Sequence, residues 1–409
     1  MNKNYKTITS CRVCNSDNII DVLDLGMQHI QGAFKITGHP DPCTNKFPNK
    51  IIRCLNCHLV QSAITVDPKL LYSNYWYQSS ISNTMRNHLA WVADTACRTV
   101  DVPFARVLDI ACNDGCLLKA FPLFYEKTGV DPSNVAKNIN DSDITVYNTL
   151  FPCEALKSKQ FDIVTSIAVF YDLDNPVQFA QDIGNILTDD GVWFLEVAYL
   201  PYILENLCYD TMVFEHIEHY SLLALDFIFN KVGFRIFRAE KTPTNGGSIF
   251  IGLCHKNNFK FDRIGWSKHW ESLKKKEEQN LKLHTEEPYI RFATRVQDHR
   301  NELVTLIDDI IAKGKTIHLY GASTKVNTIL EYCELNKYIQ YAAERSQAKF
   351  GGQTLNGINI ISEAESRAMK PDYYLVAPYH FRREILQREH EIRSQGTKFI
   401  FPLPKIEIV

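Results

Sequence analysis

The sequence predicts an α/β protein in three parts: a small cysteine-bearing N-terminal domain, a central Rossmann-like domain and a C-terminal Rossmann-like domain. Three observations predict it. Two Cys-x-x-Cys pairs, Cys11/Cys14 and Cys54/Cys57, sit at the start of the chain. From residue 105 to 255 strand-like and helix-like segments alternate, the pattern of a parallel sheet covered by helices. A second strand–turn–helix unit opens near Thr316.

The elements follow in order. Residues 1–68 are too short to bury much core alone, and Gly26, Gly32, Gly38, Pro40, Pro42 and Pro48 make the stretch between the Cys pairs loop-rich. Residues 69–263 form the central domain. Its lead-in, 69–104, holds an aromatic stretch around Tyr72, Tyr75 and Tyr77 and then a helical pattern from Asn83 to Thr99. Strands are expected at Arg106–Ile110, Lys127–Val130, Phe161–Ser166, Gly191–Glu196, Phe234–Lys241 and Ser248–Cys254. Residues 264–313 are connecting helices interrupted by Pro288, after which Phe292, Val296, Leu303, Leu306, Ile307 and Ile310 keep a helical stripe. Residues 314–409 form the last domain, with strands at Thr316–Leu319, Tyr373–Ala377 and Lys398–Phe401.

Composition narrows the function. The chain has 409 residues, 45% apolar and 22% charged, with a formal net charge of -2. No basic stripe suits a nucleic acid; the run Lys274-Lys275-Lys276 is answered at once by Glu277-Glu278. No stretch of 18 apolar residues exists, so no membrane span is expected, and the N-terminus shows no apolar secretory segment. The twelve cysteines, scattered outside the two pairs, read as reduced thiols of a cytoplasmic protein. A monomer is expected.

Four thiolates from Cys11, Cys14, Cys54 and Cys57 suit a closed, structural zinc site, which would supply the folding energy the lobe lacks. His58 is expected to be at the surface, not a ligand. The next motif runs Asp109-Ile110-Ala111-Cys112-Asn113-Asp114-Gly115. A strand ending in an acid, then a tight turn of small residues, opens a helix N-terminus to a cofactor. Ala111 stands where a first glycine often stands, and Gly115 keeps the later one. Asp131, followed by Pro132 at the end of the second strand, is placed for ribose hydroxyls. Ala168 follows a later strand and is assigned to the same pocket. S-adenosylmethionine is the expected cofactor.

Several further stretches occur in one order: Tyr75-Trp76-Tyr77-Gln78-Ser79-Ser80, Asn113-Asp114-Gly115, Phe170-Tyr171-Asp172-Leu173-Asp174-Asn175-Pro176 and Tyr209-Asp210-Thr211 with Glu215-His216. Gly246-Gly247-Ser248 and Tyr320-Gly321-Ala322-Ser323-Thr324-Lys325-Val326-Asn327-Thr328 follow. With the cysteine pairs, this order resembles the zinc-containing, S-adenosylmethionine-dependent nucleotide-sugar C-methyltransferases that build branched deoxysugars. The resemblance covers essentially the whole chain. It implies a dTDP-linked 4-keto-6-deoxyhexose as substrate, methylated at carbon 3, and a C-terminal domain that holds the nucleotide sugar.

The resemblance makes His216 the base, and an imidazole accepts a proton at neutral pH. Glu215, Tyr75, Tyr77 and Asp172 are the other candidates for catalysis. Where the family has a Tyr and a His before Glu-His, this chain has Val213 and Phe214; where some members have a further His, it has Asp172. His219, Tyr220, Tyr75 or Tyr77 would then replace the missing groups. Substrate contacts are expected from Ser79, Gly247, Ser248, Tyr320, Gly321, Ser323, Lys325, Asn327, Glu344, Arg345 and His380. Plainer readings stay open: Gly246-Gly247 as a hairpin turn, the aromatic stretch as core, the last domain as scaffold. Two other functions also stay open, an O- or N-methyltransferase on a sugar nucleotide and a non-catalytic sugar-nucleotide-binding protein.

Overall fold

A computed structural model describes residues 4–72 and 78–409. In the N-terminal lobe the loop-rich expectation holds for 29–46, apart from Phe34–Lys35, but strands flank that stretch. Ile19–Gln28 and Phe47–Cys54 pair as antiparallel strands, and Val60–Ser62 extends that sheet. Two irregularities in the pairing absorb the stretch around Gly26, whose positive φ of 75° only glycine adopts freely.

The central sheet has seven strands: β1 (Arg106–Ile110), β2 (Glu126–Val130), β3 (Ile144–Tyr147), β4 (Phe161–Ile167), β5 (Leu187–Ala198), β6 (Phe234–Thr242) and β7 (Ser248–His255). Their spatial order is β3-β2-β1-β4-β5-β7-β6. β1 to β5 are parallel, as expected, but β7 runs antiparallel to both β5 and β6. The reason is local. The β6–β7 connection is the short turn Thr244–Gly246, too short for the crossover that a parallel pair needs. β3 was not among the expected strands. β4 buries most of its residues and β5 buries the run Gly191–Val197, because helices cover both faces. Trp193 is wholly buried among Phe170, Phe229 and Phe234, a cluster in which each ring contributes about 1.5–3 kcal/mol.

The expected helix over Asn83–Thr99 runs Asn83–Val100 and is capped by Ser82, whose Oγ accepts from the Met85 amide. The connecting helices are interrupted at 281–286, and Pro288 opens the second one rather than breaking it. It sits in the first turn of Glu287–Ala312, where its missing N–H leaves no bond unmade. Phe292, Val296, Leu303, Ile307 and Ile310 form that helix's buried stripe.

The C-terminal sheet has parallel strands Lys398–Phe401, Tyr373–Val376, Ile317–Tyr320, Tyr341–Glu344 and Asn359–Ser362 in that spatial order. Its far edge is Gln353–Thr354, and against it lies Phe34–Lys35 of the N-terminal lobe. The lobe also pairs Val60–Gln61 with Glu218–His219 of the central domain. It is therefore stitched by backbone hydrogen bonds to both larger domains. Among the described residues no helix is long and apolar enough to cross a membrane.

Candidate active site and metal centre

Cys11, Cys14, Cys54 and Cys57 converge, with all four Sγ atoms within 4.8 Å of one another. Cys11 and Cys57 lie 3.4 Å apart, as do Cys14 and Cys54. A tetrahedral zinc with Zn–S of about 2.3 Å places its sulfurs about 3.8 Å apart, so the cage fits. The amides of Val13 and Asn56 point at Cys11 and Cys54, which favours thiolates. The Cys57 thiol donating to Cys11 holds Cys11 down to about 5. His58 stays out of the cage: its Nδ1 lies 3.2 Å from Arg53 Nη2, though the residue is half-buried rather than at the surface.

The turn after β1 is built from left-handed residues. Ala111, Asn113 and Gly115 have φ of 62°, 49° and 74°. Asp131 pins this loop through its carboxylate, which accepts from the Asn113 amide (2.9 Å) and the Ser133 amide (2.7 Å); Pro132 lies between. Asp109 is buried and accepts from Thr165 Oγ1 at 2.7 Å; burial lifts its carboxyl to about 7. Ala168, at the end of β4, is also left-handed with φ 59°. The Ser79 and Ser80 amides donate to the side chains of Asn113 (3.0 Å) and Asp114 (2.8 Å), so the segment after the aromatic stretch lies against the turn. Acceptors on Asp109 and Asp131 around an open turn fit an adenosyl cofactor with ribose hydroxyls and an ammonium. Tyr75 and Tyr77 lie outside the described residues.

A second cluster gathers near the end of β4 and the loop leading to Glu218. His216 packs its ring on Tyr171, with centroids 4.3 Å apart. Its Nδ1 lies 3.1 Å from the Thr211 carbonyl and 3.3 Å from Thr211 Oγ1. Burial, then Lys325 and His219, push the ring down to about 3. Glu215 is lifted to about 7 by burial, although backbone amides, Gly32's among them, oppose this. Asp172 and Glu218 are also raised, through burial first and the neighbouring acids second for Asp172. Among the described residues, Asp172 Oδ1, Glu215 Oε2, Glu218 Oε1 and His219 Nε2 have no hydrogen-bond partner. Glu218 was not singled out in the sequence, and nothing in its local pattern marks it. Tyr220, considered as a replacement catalytic group, is fully buried with its hydroxyl committed to Glu218.

The residues expected to hold substrate divide. Lys325, on the helix Thr324–Tyr332, donates to the Asn245 carbonyl (2.9 Å) across the joint between the central and C-terminal domains. His380 packs beside Gly246 in the same place; burial and then Lys325 push its ring down to about 3. Gly247, with φ 129°, has no room for a Cβ against the Tyr202 ring, and Ser248 Oγ donates to the Thr244 carbonyl (2.9 Å) within the turn. The segment is therefore a hairpin turn whose glycines are packed against protein side chains. Asn327 donates to the Gln31 carbonyl (2.7 Å) of the N-terminal lobe.

The remaining members are further from that group. Tyr320 is buried, its hydroxyl donating to Glu389 at 2.7 Å. Gly321, at φ 89°, gives its amide to the Ala343 carbonyl, and Ser323 N-caps the helix without a side-chain bond. Glu344 accepts from the Ala322, Arg345 and Ser346 amides. Arg345 reaches out to Glu384, at 3.9 Å. Asp210, quoted in the motif but given no role, turns out to be central. Tyr379 donates to its Oδ1 (3.1 Å), and its buried Oδ2 has no partner among the described residues.

Three family models match in series. Residues 11–72 match "Putative zinc binding domain", residues 84–239 "Methyltransferase domain" and residues 243–404 "C-methyltransferase C-terminal domain". The C-methyltransferase NovU of Streptomyces niveus is 26% identical over 417 residues, covering 99% of this chain and 97% of NovU. The chain is an S-adenosylmethionine-dependent methyltransferase. Its domains follow the order of a zinc-containing C-methyltransferase. Among solved structures, the PH0226 protein of Pyrococcus horikoshii OT3 covers 44% of this methyltransferase and 95% of its own chain at 16% identity and TM-score 0.37. The plantazolicin methyltransferase BpumL in complex with SAH covers 41% and 82% at 11% identity and TM-score 0.35.

Proposed function

We propose that this methyltransferase adds a methyl group to carbon 3 of a dTDP-linked 4-keto-6-deoxyhexose in branched-sugar biosynthesis, with His216 as base. The tautomer of His216 carries the reading. The Thr211 carbonyl can only accept, so Nδ1 keeps its hydrogen and Nε2 keeps the lone pair. Burial holds the ring neutral and ready to accept a proton.

The C–H next to the ketone breaks, its proton goes to Nε2, and the electron pair becomes an enolate. Bound S-adenosylmethionine supplies the electrophilic methyl group, held by Asp109, Asn113, Gly115 and Asp131. A ring held so low is a weak base in the resting enzyme. Negative charge developing on the substrate beside it raises its basicity during the step itself. The cysteine cage fixes the lobe that brings Gly32 and Gln31 to this region, and the similarity to the C-methyltransferase NovU supports carbon as the acceptor.

Mass spectrometry of an assay in deuterated water, with S-adenosylmethionine and a panel of dTDP- and GDP-linked 4-keto-6-deoxyhexoses, tests this. A product one methyl heavier, with a new C–C bond and lost in His216→Asn, is expected. Methylation on oxygen or nitrogen, or no turnover with any sugar, would overturn the reading.

A further inference from the structure

Resting on that reading, we propose that the Lys325 ammonium, presented by the C-terminal domain, is the cation that takes up the negative charge on the enolate oxygen. Proton abstraction next to a ketone puts a full charge on that oxygen, and an aimed cation or donor there is the largest available source of rate. Near His216 most ionisable side chains are unsuited to the task. Glu215, Asp172 and Glu218 are acids. His219 and His380 are held neutral by burial.

Lys325 is different. One of its three N–H groups donates to the Asn245 carbonyl at 2.9 Å, which fixes the ammonium at the domain joint and leaves two donors. Among the described residues no carboxylate lies within ion-pair distance of it. Asp210 comes nearest in effect, with Oδ1 taken by Tyr379 and Oδ2 buried at 1% residue exposure without a partner. The charge of Lys325 is felt at His216, His380 and Asp210 together. His216 and Asp210 belong to the central domain and His380 to the C-terminal one, and Lys325 itself is only half-buried. Contacts link it to the base: Asn245 adjoins Gly246, which faces His380, His380 packs on Tyr379 with ring centroids 4.3 Å apart, and Tyr379 donates to Asp210, the neighbour of Thr211, whose carbonyl lies 3.1 Å from His216 Nδ1.

The step balances without a further reactant. The C–H bond breaks, Nε2 of His216 gains the proton, the carbonyl oxygen gains the charge, and Lys325 donates a hydrogen bond to it. When the methyl group arrives at carbon, the C=O re-forms and the Lys325 bond weakens.

The test uses full-length, zinc-loaded protein with Lys325→Met and Lys325→Arg. First, the His216 ring is titrated by NMR in the free protein. The groups around it are Lys325 from the C-terminal helix, His219 and Glu215 from its own segment, Tyr171 and Asp172 from the β4 end, and Asp210 from the preceding turn. Losing the cation in Lys325→Met raises the His216 titration point, and Lys325→Arg leaves it near wild type. Second, hydrogen–deuterium exchange next to the ketone of dTDP-4-keto-6-deoxyglucose is followed. Lys325→Met loses about 100-fold in exchange rate, as loss of one charge-stabilising donor does, with KM changed by less than about threefold. Lys325→Arg recovers part of the rate, and so does ethylammonium added to Lys325→Met. An unmoved His216 titration overturns the proposal. So does unchanged exchange with a raised KM, which would make Lys325 a diphosphate clamp. If the wild type exchanges no keto sugar, the functional reading falls, and the His216 titration alone decides whether the ammonium acts on the base.

Discussion

Glu215 and His216 are neighbours in sequence and move in opposite directions. Burial lifts the Glu215 carboxyl to about 7 and holds the His216 ring down to about 3. The raised acid stabilises the fold below the ordinary carboxylate range, and that contribution is lost as pH rises through about 7. The depressed imidazole does the reverse: its contribution is present above the ordinary histidine value of 6.5 and is lost as pH falls from there toward 3. Chemical denaturation of Glu215→Gln should therefore show the variant gaining stability relative to wild type at pH 8 and not at pH 5. The kcat/KM profile of the wild type should bend near pH 7, and the bend should be missing in Glu215→Gln. A bend that survives would assign it to another group, with Asp109, also lifted to about 7, the first to examine.

Gly32 offers a finer probe. A Cβ there would overlap Glu215 Oε1, while its backbone needs no left-handed conformation. Gly32→Ala should lower kcat by about tenfold or more through the displaced carboxylate, and leave the thermal midpoint within a few degrees of wild type. A large drop in midpoint would mean that the glycine serves packing instead. At this scale the motif residues were legible because they are contiguous: Asp109 through Gly115 reads as a turn in any window. Asp210 and Glu218 were not, and Lys325 was legible as a substrate contact but not as a charge near His216. Their importance comes from residues more than a hundred positions away, or from burial that local pattern does not carry.

Among elements, the β6–β7 hairpin does most to shape the domain joint. Asn245, Gly246 and Gly247 all have positive φ. Asn245 lends its carbonyl to Lys325, Gly246 leaves room for His380, and Gly247 leaves room for Tyr202. Gly247→Ala carries both backbone strain and overlap with the Tyr202 ring, so a loss of about 1–3 kcal/mol or more is expected in equilibrium unfolding. Tyr202→Ala in the same chain should restore only the part due to overlap. Strands rich in Val, Ile and Phe, such as β1 and β4, announced themselves by composition and length. The antiparallel course of β7 did not, since periodicity carries no direction; it follows from the three-residue turn. The strands of the N-terminal lobe were hidden by Gly26, which sits at an irregular pairing, and by Pro48, which sits inside a strand.

For the whole molecule, the cysteine cage holds a lobe that reaches both larger domains. Chelating the metal, or Cys11→Ser with Cys57→Ser, should abolish methyl transfer while calorimetric affinity for S-adenosylmethionine falls far less, because the turn after β1 takes its bonds from Asp131, Thr165 and the 79–80 segment. Equal loss of both would show that the lobe also supports the central domain. The three-part organisation was legible in the order of the motifs, but the two-residue strand that joins the lobe to the far sheet was not, being too short to leave a periodic trace.

That small strand has a consequence for how such enzymes can be recombined. Phe34–Lys35 closes the edge of a sheet whose other strands lie more than 280 residues later in the chain. The first and last parts of the polypeptide are therefore one paired unit in space, while the lobe's second pairing, to Glu218–His219, belongs to the middle. A chimera that exchanges only the tail of two relatives severs this unit. One that exchanges head and tail together, around a constant middle, keeps it.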